Sequence, residues 1–257
     1  MSPDRQDDER IRMTQNSTVP STLTLRDGVS IPVLGFGTYE LEGIDAYNAT
    51  LWALEARYRH IDSAACTPRF RLAIKRSLDE CGLDYIDLYL IHGPHGGPKK
   101  RLECYKACLD AKNEGKCRSV GVSNFGVRHI EELIDAGADI PSVNQIDLHP
   151  FMTRNALVDF CKSHGIALEA WGPLVRGYRF DHPAIVKLSE KYKRSAAQVL
   201  LRYSVQKGYI TLPKSASKDR IVNNSLIFDF ELAEDDIQLL DGLDEHLVTD
   251  WDPSECP

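Results

Sequence analysis

The order of apolar and polar positions along this chain switches repeatedly between two periods. TLTLRDGVSIP sets an Asp-Gly between two short alternating runs, a hairpin signal. After it, short apolar runs of strand length alternate with longer stretches whose apolar residues recur at helical spacing. Val33 to Tyr39, Arg59 to Ala64, Ile86 to His92, Ser119 to Asn124, Val143 to His149, Ile166 to Trp171 and Tyr209 to Lys214 read as strands. Ile44 to Tyr58, Arg69 to Cys81, Arg101 to Glu114, a segment with Ile130, Leu133 and Ile134 on one face, and Arg154 to His164 read as helices. Further helices fill His182 to Lys207, Asp219 to Ile227 and Ala233 to Gly242.

Strand and helix in alternation, with strands that are apolar along nearly their whole length, mean a parallel sheet covered by helices. A doubly wound sheet or a (β/α) barrel satisfies that pattern. No G-x-G-x-x-G follows any strand, which weakens the doubly wound option. The 257 residues suit one barrel domain, typically about 250 residues. The main strands number seven, one fewer than the eight of a closed barrel.

Met1 to Ser21 is polar with charges of both signs, and reads as a disordered tail ahead of a domain spanning 22–257. It has neither the apolar stretch of a secretory signal nor the acid-poor composition of a transit peptide. No apolar run is long enough to span a bilayer, so a cytoplasmic location is expected. Hydrophobic residues at 42% and charged residues at 27% are ordinary for a globular domain. A formal net charge of −7 argues against nucleic acid and anionic membranes as partners. Any phosphate bound here must meet a local basic cluster. The cysteines, at 66, 81, 104, 108, 117, 161 and 256, are odd in number without metal-type pairing, as reduced thiols would be. Cys104 and Cys108, one helical turn apart, read as packing residues.

Polar residues close the strands. Asp62 ends one, His92 another and Ser123-Asn124 a third; Gln145 lies within the next, Trp171 ends another, and Lys214-Ser215 end the last. In barrels the carboxyl ends of the strands form the active face, so these groups converge on one rim. A metal hydrolase built on His60, Asp62, His92, His95 and His149 is the rival enzyme class. Its spacing lacks a full metal signature, and no metal is expected.

GFGTYEL, RYRHIDSAA, GLDYIDLYLIHGP, VGVSNF, VNQIDLHP, ALEAWGPL and LPKSASKDRIVNN resemble, in order, the strand-end motifs of the aldo-keto reductase superfamily. The resemblance runs from Leu23 to the C-terminal tail. It implies an α/β fold, a (β/α)8 TIM barrel whose bottom is plugged by an N-terminal β-hairpin, and NADPH-dependent reduction of aldehydes and ketones by a cytosolic monomer. By the same resemblance Gly37 and Thr38 close the first strand beside the cofactor. Ser123, Asn124 and Gln145 hold the nicotinamide carboxamide, and Trp171 stacks on the ring where the family more often has tyrosine. Pro173 and Leu174 belong to the Gly172 to Gly177 segment along the pyrophosphate. Lys214, Ser215 and Arg220 grip the 2′-phosphate, with Asn223 and Asn224 near the adenine. Charge-assisted contacts of that kind explain a preference for NADP(H) over NAD.

The family's proton donor is a tyrosine acidified by a lysine, the lysine pairing with an aspartate, while a histidine orients the carbonyl. Asp62 matches the aspartate and His92 the histidine. The tyrosine's position, five beyond Asp62, holds Thr67, and the strand that carries the lysine has no counterpart. Asp62 and His92 lie thirty positions apart, room for one helix and one strand only. The resemblance therefore implies an incomplete barrel of about seven strands lacking one helix–strand unit, with impaired turnover. The rival is a non-catalytic protein that binds NADP(H), or a product without function. Tyr39 matches a different family position, and Lys75 reads as solvated helix surface.

Overall fold

The computed structural model describes residues 21–64 and 70–257. The tail up to residue 20, Cys66, Thr67 and the predicted helix start at Arg69 lie outside them. The hairpin forms as β1 (Thr22–Thr24) and β2 (Ser30–Pro32), antiparallel with Leu23 opposite Ile31. Its turn is longer than Asp-Gly alone. Gly28, at φ 86°, donates its N–H to the Leu25 carbonyl, in a left-handed conformation that costs glycine nothing sterically. Leu25 and Ile31 pack against Val143 and Ile210, so the hairpin covers the starts of two strands of the main sheet.

The chain continues as β3 (Phe36–Gly37), α1 (Gly43–Glu55), β4 (Ile61–Asp62), α2 (Phe70–Cys81), β5 (Ile86–Ile91) and α3 (Gly97–Asn113). Then follow β6 (Cys117–Ser123), α4 (Val127–Asp135), β7 (Val143–Asp147), α5 (Asn155–Ser163) and β8 (Ala167–Trp171). The last elements are α6 (Pro183–Tyr192), α7 (Ala196–Gln206), β9 (Ile210–Leu212), α8 (Lys218–Ser225) and α9 (Glu234–Asp241). The long predicted stretch from His182 is two helices. Ser195 starts the second with a capping box, its Oγ accepting the Gln198 N–H at 3.2 Å while Gln198 Oε1 accepts the Ser195 N–H at 3.1 Å; such a cap contributes about 1 kcal/mol.

Strands β5 to β9 pair in chain order, all parallel. β3 pairs parallel with β4, Gly37 opposite Asp62. A parallel bridge between Leu34 and Thr211 joins the two sheets, supported by hydrogen bonds from Gly35 N–H to the Thr211 carbonyl (2.9 Å) and from Thr211 N–H to the Val33 carbonyl (2.8 Å). One curled sheet results, ordered β4-β3-β9-β8-β7-β6-β5. Among the described residues no strand pairs with the outer edge of β4 or β5. The run predicted over Arg59 to Ala64 yields only Ile61–Asp62, because a ladder extends only as far as its partner and, among the described residues, β4 has β3 alone.

Helices α2 to α5 cover one side of the sheet, where Ile91, Val122, Ile146 and Ala170 meet Tyr105, Ile130, Leu133 and Val158. Burying each such aliphatic side chain stabilises the fold by roughly 1.5–3 kcal/mol. α1 buries Ala49 and Ala53, whereas Ile44, Tyr47, Leu51 and Leu54 form an exposed apolar stripe on its opposite face. No described helix is long and apolar enough to cross a membrane.

The last residues run back across the carboxyl ends of the strands. Asp147 Oδ2 accepts from the N–H and hydroxyl of Thr249, at 3.1 and 3.0 Å, and Arg154 pairs with Asp252 at 3.0 Å. Arg101, buried, donates to the Pro94 carbonyl at 2.7 Å and to the Pro257 carbonyl at 3.0 Å, and pairs with Glu132 at 2.8 Å. Arg128 donates to the Glu255 and Cys256 carbonyls. Gly126 leaves room for this strap, since a Cβ there would collide with the Ser254 carbonyl oxygen. Because Arg101 satisfies three acceptors from a buried position, Arg101→Ala is expected to cost about 3 kcal/mol, read as a lower midpoint in urea denaturation.

Candidate active site

A cavity of about 740 Å³ opens at the carboxyl ends of the strands. Of the residues singled out in the sequence, Gly37, Asp62, His92, Ser123, Asn124, Trp171, Pro173, Leu174, Lys214, Ser215, Arg220, Asn223 and Asn224 line it. Thr38 and Gln145 stand behind the wall. Thr38 joins β3 to β4, its N–H and its hydroxyl both donating to the Asp62 carbonyl, at 3.0 and 2.9 Å.

The amide of Gln145 is the junction of the site. Its Nε2 donates to Asp62 Oδ1 at 3.0 Å and to Glu169 Oε1 at 2.5 Å. Gln145 and Glu169 are direct neighbours across β7 and β8, and β4 brings Asp62 in from the other side of the curled sheet. The described residues thus give the Asp62 carboxylate an amide as its side-chain partner. Glu169 is fully buried, and its Oε2 has no hydrogen-bond partner. Burial, and after it the charge of Asp62, pushes its pKa up to about 8, while the Gln145 hydrogen bond opposes them. His60 Nε2 lies 3.8 Å from Glu169 Oε2. His60 Nδ1 donates to the Pro32 carbonyl at 3.2 Å, which leaves Nε2 as the unprotonated nitrogen of the neutral ring. Burial lowers the His60 pKa, opposed by the Pro32 hydrogen bond and the charges of Asp62 and Asp87. Gly35 makes room for this ring: a Cβ there would sit 2.8 Å from Nδ1.

Ser123, Asn124 and Trp171 come together at the cavity, linked through Asn124. Ser123 Oγ donates to the Gln145 carbonyl at 2.9 Å. Asn124 Nδ2 donates to Ser123 Oγ and to the His92 carbonyl, both at 3.0 Å, and its Oδ1 accepts the Trp171 indole N–H at 2.9 Å. Asn124 holds φ 60° to do this, a left-handed conformation that asparagine tolerates better than most residues. At the far end Arg220 Nε donates to Ser215 Oγ at 3.1 Å. Neither Lys214 nor Arg220 is paired with a carboxylate among the described residues, whereas Lys218 is held by Glu55 at 2.8 Å.

At the cavity mouth, sequence reading placed Tyr39 near the rim and Trp251 as a pocket wall, and missed Arg176 and Asp250. Arg176 pairs with Asp250 at 3.2 Å, Tyr39 donates its hydroxyl to Asp250 Oδ2 at 3.1 Å, and the Arg176 guanidinium lies 5.2 Å from the centre of the Tyr39 ring. Trp251, next in the strap, stacks on His95 at 5.4 Å and meets His92 edge-on at 6.0 Å. The histidines of the metal reading are dispersed, His149 facing Asp147 at 3.3 Å and His60 facing Glu169. No cluster that could hold a metal occurs among the described residues. Lys75 is on the surface of α2, paired with Asp79 at 2.6 Å. The described cysteines are all free thiols.

A curled parallel sheet with helices outside, a hairpin beneath and a polar cavity at its carboxyl ends defines a barrel-type α/β enzyme fold. Residues 67–245 match the aldo/keto reductase family. An uncharacterised oxidoreductase of Schizosaccharomyces pombe is 37% identical over 274 aligned positions, covering 92% of this chain and 98% of its own. A glyoxal reductase of Bacillus subtilis is 36% identical over 273, covering 93% and 98%. The solved Bombyx mori aldo-keto reductase in complex with NADP superimposes with a TM-score of 0.81 at 32% identity, over 90% of this chain and 95% of that one. The chain belongs to the aldo/keto reductase family and is an oxidoreductase of that family.

The acidic junction sets a pH dependence of stability. Folded Glu169 keeps its proton up to about 8, whereas in the unfolded chain it is lost near the ordinary glutamate value of about 4.3. Between those values the unfolded state binds fewer protons, so this group's contribution to stability falls as pH rises across that window. Glu169→Gln cannot titrate there. Its melting temperature is expected to gain on that of the wild type steadily from pH 5 to 8. His60 contributes an opposite slope below its ordinary value in both proteins. A difference that does not change with pH would show that Glu169 is ionised in the fold.

Proposed function

We propose that this chain binds NADP(H) in the rim cavity and reduces small aldehydes or ketones, as a cytosolic monomer, at a rate well below that of a complete family member. The observation that carries the reading is the layout of the cavity. Two cations without carboxylate partners among the described residues, Lys214 and Arg220, stand at one end, and Asp62 and His92 line the same space. Lys214, Ser215 and Arg220 suit a phosphate through charge-assisted hydrogen bonds, with Asn223 and Asn224 beside them for the adenine. Trp171 offers a ring face for the nicotinamide. Gln145, both of whose amide hydrogens are engaged, offers its carbonyl oxygen to the carboxamide. NADPH, when bound, supplies a hydride to the carbonyl carbon.

The substrate oxygen must gain a proton as it gains that electron pair. In this reading His92 orients the oxygen, and solvent delivers the proton, because Thr67 stands where the family has its tyrosine. Loss of a positioned general acid typically lowers rate by about 10²- to 10⁴-fold. The absence of a helix–strand unit between β4 and α2 is supported by the outer edges of β4 and β5, which no strand pairs with among the described residues. It is supported as well by an alignment with the S. pombe relative that, at 274 positions, is longer than this 257-residue chain.

A second reading, a protein that binds NADP(H) without turning over, is favoured by Asp62 being hydrogen-bonded to Gln145 rather than to a cation. Tryptophan-fluorescence titration with NADPH is expected to saturate in the micromolar range and to raise the melting temperature. Arg220→Ala should weaken NADPH about tenfold and leave NADH binding unchanged. Slow oxidation of NADPH by a generic aldehyde supports the reductase, and saturable binding with no oxidation supports the second reading. Absence of any binding would overturn both.

A further inference from the structure

Glu169 is a carboxyl group sealed inside the sheet with one oxygen unpaired, at a site where a leucine or valine would be expected of a buried strand. Burying a polar group is costly unless it is hydrogen-bonded, and the one hydrogen bond that the Glu169 carboxyl makes among the described residues, from Gln145, points to what it does. An amide side chain can present either its NH2 or its carbonyl to a ligand, and the two faces are nearly identical in shape. For Gln145 that choice is made by two acceptors. Asp62 Oδ1 takes one Nε2 hydrogen and Glu169 Oε1 the other. The Gln145 Oε1 is left without a partner among the described residues and is not among the buried unpaired atoms, which leaves it open to a ligand group that reaches past the lining residues. A flipped amide would set its carbonyl oxygen against two carboxyl oxygens.

We propose that Glu169 is a positioning residue which, acting through Gln145, fixes the site as an acceptor for an amide N–H of the bound ligand. On the function proposed above, that ligand group is the carboxamide NH2 of the nicotinamide. His60 completes the arrangement. Its Nδ1 is committed to Pro32, so Nε2 presents a lone pair toward Glu169 Oε2. Because Oε1 already accepts from Gln145, a proton on Glu169 belongs on Oε2, toward which His60 presents no N–H. As a neutral acid Glu169 also avoids adding a second buried charge beside Asp62. Gly35, which admits the His60 ring, belongs to the same device.

The test compares NADPH with its reduced 3-acetylpyridine analogue, in which a methyl ketone replaces the carboxamide and the N–H donors are gone. Wild-type protein is expected to prefer NADPH by about tenfold, the worth of one well-made hydrogen bond to a fixed partner. Glu169→Leu should lose that preference by weakening NADPH alone, and Glu169→Gln, which still offers Oε1, should keep it. Gln145→Met should lose it too, and the double variant no further, since the two residues act in series. Equal loss for both cofactors in Glu169→Leu, or additive losses, would overturn the proposal by showing a merely structural role. Failure of the wild type to bind either cofactor would overturn the function it rests on, a distinguishable result. Should Glu169→Leu not fold, the Gln145 side-chain NH2 resonances of the wild type decide. Protection of both protons from exchange with solvent, kept in Glu169→Gln, supports the role, and exchange as fast as that of an exposed glutamine overturns it.

Discussion

The two hydrogens of a single amide hold the site together. Gln145 on β7 reaches a carboxyl on β8 and a carboxylate on β4, and those strands lie far apart in the order of the sheet. The sheet itself joins them only by way of β9 and the short ladder of β3. The amide therefore supplies a direct tie between parts of the curled sheet that backbone pairing connects only around the circumference. Hydrogen bonds of this kind are worth most where water is excluded, and the burial of Glu169 provides that condition. His60, Gly35 and Pro32 then follow as parts that keep the acid in place.

Most of the fold was legible because a parallel sheet covered by helices leaves a strong periodic trace. The helices from α2 to α9 fall within a few residues of the apolar stripes that predicted them, and the strands alternate with them as expected. The ends of β3 and β4 were not legible. Their sequences are apolar enough for longer strands, but strand length is set by the neighbour available for pairing, which no local pattern records. The rim residues were legible by position alone, since Asp62, His92, Asn124, Trp171 and Lys214 all follow apolar runs. Glu169 left a faint mark, one acid inside the run IALEAW. The ion pair of Arg176 with Asp250 left none, because its partners come from distant loops without periodicity.

The strap built from the last residues ties the mouth of the cavity to its surroundings. Asp250 receives both Arg176 and Tyr39, and Trp251 beside it covers His92 and His95. Val175 and Arg176 hold left-handed conformations, at φ 52° and 48°, which is costly for a β-branched residue and signals strain that the surroundings must sustain. Asp250 is therefore a contact through which the loop after β8 and the wall over His92 are held in one arrangement.

The bridge between Leu34 and Thr211 has a consequence for how the chain comes into being. β3 emerges early in synthesis, and its partner β9 is among the last segments made. Until then β3 and β4 can pair only with each other, exposing strand edges and the Ala49 and Ala53 face of α1 while the rest of the chain is translated. Contacts so distant in sequence also slow the folding search, and exposed edges favour association with other chains in the interval. The seam that joins the two parts of the sheet thus leaves the nascent polypeptide with unpaired strand edges until synthesis is nearly complete.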